Sequence, residues 1–138
     1  MKKESNAASG NPQGIVTIQT LAMPADTNAY GDIFGGWLVS QMDLAGNVLA
    51  KQLSHGRSVT VAIESMSFEH PVHIGDLVSC YVTLVKTGRS SMTIKIEVWT
   101  NVHFLGRRKK VTEGTFVYVA IDEDGHPRPL PAAASKDV

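Results

Sequence analysis

The chain holds a single cysteine, Cys80, among its 138 residues. A disulfide framework within the chain is therefore excluded, and a reducing compartment is expected. Charge of one sign is not in excess either: 13 basic residues balance 13 acidic ones. That balance removes any global pull toward nucleic acid or an anionic membrane. No apolar run approaches the roughly 18–20 residues that span a bilayer. The opening MKKESNAASGNPQG has two lysines with no apolar segment behind them, so no secretory signal is expected. Familiar catalytic signatures are missing too. There is no GxSxG elbow for a serine hydrolase and no GxxxxGK phosphate loop. The five histidines (His55, His70, His73, His103, His126) form no HExxH and have no companion cysteines, so no metal site is expected. A soluble, cytoplasmic protein with neither nucleic acid nor membrane as partner is the expectation.

What is present fits one globular domain. Hydrophobic residues make up 43% and charged residues 19% of the chain. Size scaling gives roughly 7,000 Å² of folded surface against roughly 21,600 Å² for the extended chain, which leaves a real core without metals or disulfides. Residues 1–14, rich in Ser, Asn, Gly and Lys, are expected to be a flexible segment, and 15–122 the folded domain. Residues 123–138 read as a Pro/Ala-rich tail, since its prolines cannot serve a helix or an internal strand.

Within the domain, Ile15 to Leu21 reads as a strand, followed by the turn-rich loop MPADTNAYGD. Ile33 to Leu53 reads as one helix, about 30 Å long. Its large apolar residues, Phe34, Trp37, Leu38, Leu44, Val48 and Leu49, cover much of the circumference and predict deep burial, with Asp32 as the cap and Gly56 as the stop. Four strands follow. Arg57 to Phe68 has Val59, Val61 and Ile63 on one face, and Asp76 to Lys86 alternates Val78, Cys80, Val82 and Leu84. Ser91 to His103 alternates Met92, Ile94, Ile96 and Val98, and Val111 to Ile121 alternates Val117, Val119 and Ile121. The plan is α+β: a curved antiparallel sheet wrapped around one long helix, the only element available to fill its buried face. Partly apolar outer faces suggest an oligomer.

Asp43 stands out. It lies about ten residues into the helix, and Gly36, Ser40, Asp43 and Asn47 fall on one stripe at spacings of 4, 3 and 4. The stripe can be the solvent face, but it carries small residues and no Lys, Arg or Glu before Lys51. A carboxylate there is costly unless paired or used. Gly35 and Gly36 open the helix at a cost in stability. Two reasons stay open: close packing of a strand, or close approach of a ligand to helix N–H groups that can hold an anion or oxyanion. KTGRSSM, with Gly88, Arg89, Ser90 and Ser91, offers phosphate-binding donors or is simply an exposed hairpin tip. The run Arg107-Arg108-Lys109-Lys110 is either a phosphate patch or a charged edge that deters strand pairing. Cys80, on an apolar strand face, reads as core.

The ordered set DTNAYGDIFGG, MDLA, PVHIGD and GRSS, with FVYVAIDEDGHPRPLP, closely resembles the YciA-type acyl-CoA thioesterases of the hotdog-fold superfamily, over about residues 15–131. The resemblance implies hydrolysis of acyl-CoA to a carboxylic acid and coenzyme A, with broad acyl specificity and no metal or redox cofactor. It implies Asp43 as general base or nucleophile, Asn28 as the residue positioning water or the thioester, and the Gly36 N–H, with Gly35 nearby, as oxyanion donor. Gly88, Arg89, Ser90 and Ser91 would line coenzyme A, with Arg107 and Arg108 adding phosphate contacts. Dimers assembled into a homohexamer are implied as well.

Because Asn28 precedes the helix and Asp43 lies some 15 Å along it, a two-fold dimer with antiparallel helices would join one chain's loop to its partner's carboxylate. Two rivals share the fold. A dehydratase would normally place a histidine near the helix, and none occurs before His55. A non-catalytic acyl-CoA-binding or sensing module would bind without turnover.

Overall fold

The computed structural model describes residues 10–101 and 107–132. The order of elements is β1 (Ile15–Leu21), a 3₁₀ turn (Pro24–Asp26), α1 (Gly35–Ser54), β2 (Ser58–Phe68), β3 (Leu77–Thr87), β4 (Ser91–Asn101) and β5 (Arg108–Ala120). The five strands form one antiparallel sheet in the order β1-β3-β4-β5-β2. The expected helix and strands are therefore present, and α1 lies against the sheet with Leu38, Met42, Ala45, Leu49, Ala50 and Leu53 buried in the shared core. No helix among the described residues is long and apolar enough to cross a membrane. His103 and residues 1–9 and 133–138 lie outside the described residues.

Inner faces of β3 and β4 follow the apolar alternation: Val78, Cys80, Val82, Met92, Ile94, Ile96 and Val98 are all buried. The outer strands do not. In β5 the residues buried against the helix are Phe116, Tyr118 and Ala120, whereas Val117 and Val119 are only half-buried. In β2 the same inversion holds near its start. Thr60 pairs with Tyr118 and turns toward the helix, while Val59, Val61 and Ile63 are exposed. Both strands have apolar residues on two faces, so alternation alone does not choose the inner one. The two aromatic rings of β5, which stack at 6.4 Å, fill the space under the helix better than valines. A register shift between Thr60 and Ala62 then re-aims the middle of β2.

The helix is less enclosed than its composition predicts. Leu44 is 53% exposed, and Phe34 and Val48 are exposed as well. Its boundaries also differ. It begins at Gly35, with Phe34 as cap residue and no side-chain cap, because Asp32 belongs to the preceding loop. It stops at His55, which adopts the left-handed conformation (φ 57°), one residue before the glycine expected to end it.

The helix reaches the sheet closely at one place. A Cβ on Gly46 would lie 2.1 Å from the Tyr118 hydroxyl and 2.8 Å from Ile96. Glycine there lets the phenol of β5 slide beneath the helix backbone. Past β5, the chain stays attached to the fold as far as it is described. Arg128 donates from Nε to Ile121 O (2.9 Å) and from a guanidinium NH2 group to Ser54 O (2.9 Å), tying the segment to the helix end. Leu130 N donates to Arg89 O at the β3–β4 turn. Before β1, Gln13 N donates to Glu97 Oε1, and Lys95 reaches Gln13 Oε1.

Candidate active site

Asp43 lies eight residues into α1, half-buried, on the side facing β2 and β5. Its Oδ1 accepts a hydrogen bond from Thr60 Oγ1 at 2.6 Å and a second from the Tyr118 hydroxyl at 3.1 Å. The same hydroxyl lies 3.1 Å from the Asp43 backbone carbonyl. Nearby on the helix, Asn47 Oδ1 accepts from Ser58 Oγ at 3.4 Å. The stripe read from the sequence therefore divides. Gly36 and Ser40 are exposed, while Asp43 and Asn47 turn toward the edge strand β2. One carboxylate oxygen is held by two hydroxyls. Among the described residues, no hydrogen bond or ion pair engages the other, Oδ2.

Burial pushes the Tyr118 phenol well above its ordinary pKa, and the adjacent Asp43 charge adds to the shift. Tyr118 thus keeps its proton and donates at neutral pH. Cys80, by contrast, has only burial around it, which raises its thiol to about 12, as befits a core residue.

The second half of the site is the loop before α1. An isolated antiparallel bridge between Thr27 and Ile33 closes it. Inside the bridge, Asn28 Oδ1 accepts from Tyr30 N (2.8 Å) and Asp32 N (3.1 Å), while Asn28 N donates to Asp32 O (2.7 Å). These bonds fix the amide: Oδ1 is spent on the loop, and Nδ2 is the group left to donate outward. Phe34 N donates to Asp26 O, and Phe34 O accepts from Trp37 N and Leu38 N. The N–H groups of Gly35 and Gly36 are then the orphan donors of the first helical turn. A Cβ on Gly36 would meet nothing within 4 Å, and one on Gly35 only the Phe68 ring at 3.6 Å. At Gly35 the β2 residue Phe68 lies at ordinary contact distance, while Gly36 has open space among the described residues and room for close approach from outside.

The sheet register separates the other candidates. Gly88, Arg89, Ser90 and Ser91 form the β3–β4 turn, held by Gly88 N→Ser91 O (2.9 Å) and Ala120 N→Ser90 O (2.8 Å). Arg89 is exposed. Arg107 and Arg108 lie at the opposite end of the β4–β5 ladder, since Asn101 pairs with Arg108 and Ser91 with Val119. Ten residue steps along a strand span about 33 Å, so one chain does not bring both groups to one coenzyme A. Tyr118 pairs with Met92, beside the Gly88–Ser91 turn, whereas Gly35 sits against Phe68, which pairs with Thr112 toward the Arg108 end. Asp43 and the turn thus share one end of the molecule, and Asn28, Gly35 and Gly36 the other.

At the basic run β5 pairs only with β4, since its pairing with β2 begins at Thr112. Arg108 to Lys110 belong to β5, which lies between β4 and β2. Arg108 donates to Asn11 Oδ1 (3.0 Å), and Lys110 pairs with Glu113 and lies 3.9 Å from Glu97. Only Arg107 and Lys109 of the four are exposed. Elsewhere Asp122, Asp124 and His126 bring ligand atoms within 4.8 Å of one another, all exposed, in the turn after β5. Asp122 Oδ1 there accepts from the backbone N–H groups of Asp124 and His126, so the cluster is organised as a turn.

Thr60 and Tyr118 were not singled out in the sequence. The available signal is their position: a hydroxyl residue in each of two otherwise apolar runs, VTVAI and FVYVAI. The alternating valines of the same runs draw attention away from it.

Known proteins align with this arrangement. The family model described as the thioesterase superfamily matches residues 30–103. The acyl-CoA thioester hydrolase YciA of Salmonella typhimurium is 58% identical over 123 residues, 87% of this chain and 92% of the relative. The hexameric thioesterase y2039 from Yersinia pestis superposes with a TM-score of 0.85 at 54% identity, over 88% of this chain and 99% of that one. A hexameric broad-specificity acyl-coenzyme A thioesterase superposes with a TM-score of 0.83 at 50% identity, over 88% of this chain and 84% of that one. By sequence, by fold and by the length shared, the chain belongs to the thioesterase superfamily, and its sheet curled about one long helix is the hotdog fold.

Proposed function

We propose that this protein hydrolyses acyl-CoA thioesters, releasing a carboxylic acid and coenzyme A, with broad acyl specificity. The observation that carries the chemistry is Asp43: a half-buried helix carboxylate with Oδ1 held by two hydroxyls and Oδ2 without a partner among the described residues. Oδ2 takes the proton of an attacking water, or itself attacks the thioester carbon. Hydrolysis in ¹⁸O-water under single turnover separates the two, since label enters Asp43 only by the second route. As the carbonyl becomes tetrahedral, its oxygen takes negative charge. The Gly36 N–H, with Gly35 beside it, meets that charge at a helix N-terminus, where the macrodipole adds to the hydrogen bond. Asn28 supplies Nδ2 to water or to the thioester. The reaction needs water, a carboxylate and hydrogen-bond donors, and it calls for no metal or redox cofactor.

The catalytic unit is a two-fold homodimer with two sites, each pairing Asp43 of one chain with Asn28 and the Gly36 N–H of the other. Eight helical residues separate Gly35 from Asp43, about 12 Å along the axis, which favours sharing over a site within one chain. Exposed Val59, Val61 and Ile63 on edge strand β2, with Leu44 and Val48 on the helix, support burial against a second copy. The solved relatives named above are hexamers, which supports a trimer of such dimers. Coenzyme A would then lie on the Gly88–Ser91 turn of the chain that supplies Asp43, with Arg107 and Arg108 reaching it from the other chain.

The test is free-thiol release across a panel of acyl-CoAs from short to long. Turnover by the wild type and its loss in Asp43→Asn is the expected result. Coenzyme A binding with no turnover on any substrate would replace the enzyme by a sensing module.

A further inference from the structure

We propose that Tyr118 is a positioning residue for the reaction, its buried hydroxyl locking Asp43 so that only Oδ2 faces the substrate. This inference rests on the thioesterase reading above. The hydroxyl lies 3.1 Å from both Asp43 Oδ1 and Asp43 O, so a single proton is shared between the side chain and the backbone of one residue. A donor that engages both the carboxylate and the backbone carbonyl of Asp43 fixes its rotamer as well as one of its oxygens. Tyr118 is itself immovable. It is fully buried, it stacks on Phe116, and its strand is paired on both sides, to Met92 and to Thr60. Thr60, which holds Oδ1 from β2, belongs to an edge strand whose register shifts at the next residue. The rigid member of the pair is the tyrosine.

The helix carries a matching device. Gly46 stands directly over the phenol, and a Cβ there would overlap its oxygen at 2.1 Å and its ring carbon Cζ at 2.8 Å. Glycine in a helix interior costs stability relative to alanine, and here it is what lets the hydroxyl reach Asp43. Tyr118, from β5, is the titratable group in hydrogen-bond contact with Asp43, Thr60 from β2 carries no charge, and among the described residues no ion pair reaches the carboxylate. Losing the Tyr118 donor leaves Oδ1 held from the edge strand alone and frees the carboxylate to turn.

Tyr118→Phe keeps the ring and its packing while removing the donor. The variant is expected to fold and to lower kcat about tenfold with KM for acyl-CoA little changed. Site-specific ¹³C labelling of the Asp43 carboxyl reads the same bond without turnover, and its carboxyl resonance should shift in the variant. In the Asp43→Asn background the added Tyr118→Phe should change turnover by less than twofold, because both act through one group. An unmoved Asp43 carboxyl resonance, or unchanged kcat in a folded variant, overturns the positioning role. A moved resonance in a protein that hydrolyses no acyl-CoA overturns the thioesterase reading and leaves the hydrogen bond as structure only. Should Tyr118→Phe fail to fold, Gly46→Ala read by the same resonance decides the matter, since its methyl group displaces the hydroxyl from above.

Discussion

The middle and the N-terminus of helix α1 hold chemically useful groups by opposite means. At Asp43 the groups are fixed by tertiary packing: a phenol from β5, a threonine from β2, and a glycine in the helix that lets them meet. Around Asn28 they are fixed by the backbone itself, through an amide that folds a short loop onto its own N–H groups. The first arrangement is carried by the core, while the second is exposed and leaves Nδ2 and two helix N–H groups unspent. A carboxylate near the core must be held from several sides, or it costs free energy without serving. Donors that await a substrate must instead stay unpaired, and such groups are tolerated only where water can reach them.

Removing the carboxylate is the most severe way to break this comparison. Asp43→Asn should lower turnover by about 10²-fold or more, measured as thiol release, with coenzyme A binding retained. Retention of most activity would sink the assignment of Asp43. Asn28→Ala should cost less, about tenfold, in keeping with one hydrogen bond to a charged or developing-charge group. Its further use is in complementation. Mixed oligomers of Asn28→Ala and Asp43→Asn chains should regain activity, because some sites inherit both intact halves. Mixed chains no more active than either parent would show that each site lies within one chain.

Stability separates the two regions as well. Gly46→Ala forces a methyl group into the phenol and Ile96, and overpacking of this kind costs about 1–3 kcal/mol, so the melting temperature should fall by several degrees. Gly36→Ala, the mildest change, has open space around it in the chain and should be neutral or stabilising by up to about 1 kcal/mol. If its thermal melt holds or rises while turnover drops, the glycine is kept for what approaches the helix N-terminus. If turnover is unchanged, close approach is not its purpose.

Much of this was readable in the sequence, and the limits are physical. The helix, the strand boundaries to within a few residues, and the inner faces of β3 and β4 follow from hydrophobic periodicity, because those elements are apolar on one side only. The anomaly of Asp43 was also legible, as a lone acid among small residues in a helix of apolar composition. Which face of β2 and β5 turns inward was not legible, since both strands are apolar on two sides. With that went Thr60 and Tyr118, the partners of Asp43, and the importance of Gly46 over Gly36. Local order along the chain determines periodicity, capping and turn chemistry, so the sequence by itself gave the α+β plan and its suspect carboxylate. Only the tertiary structure decided which hydroxyls meet that carboxylate and which donors lie beyond its reach, because those depend on strands far apart in sequence competing to fill one volume beneath the helix.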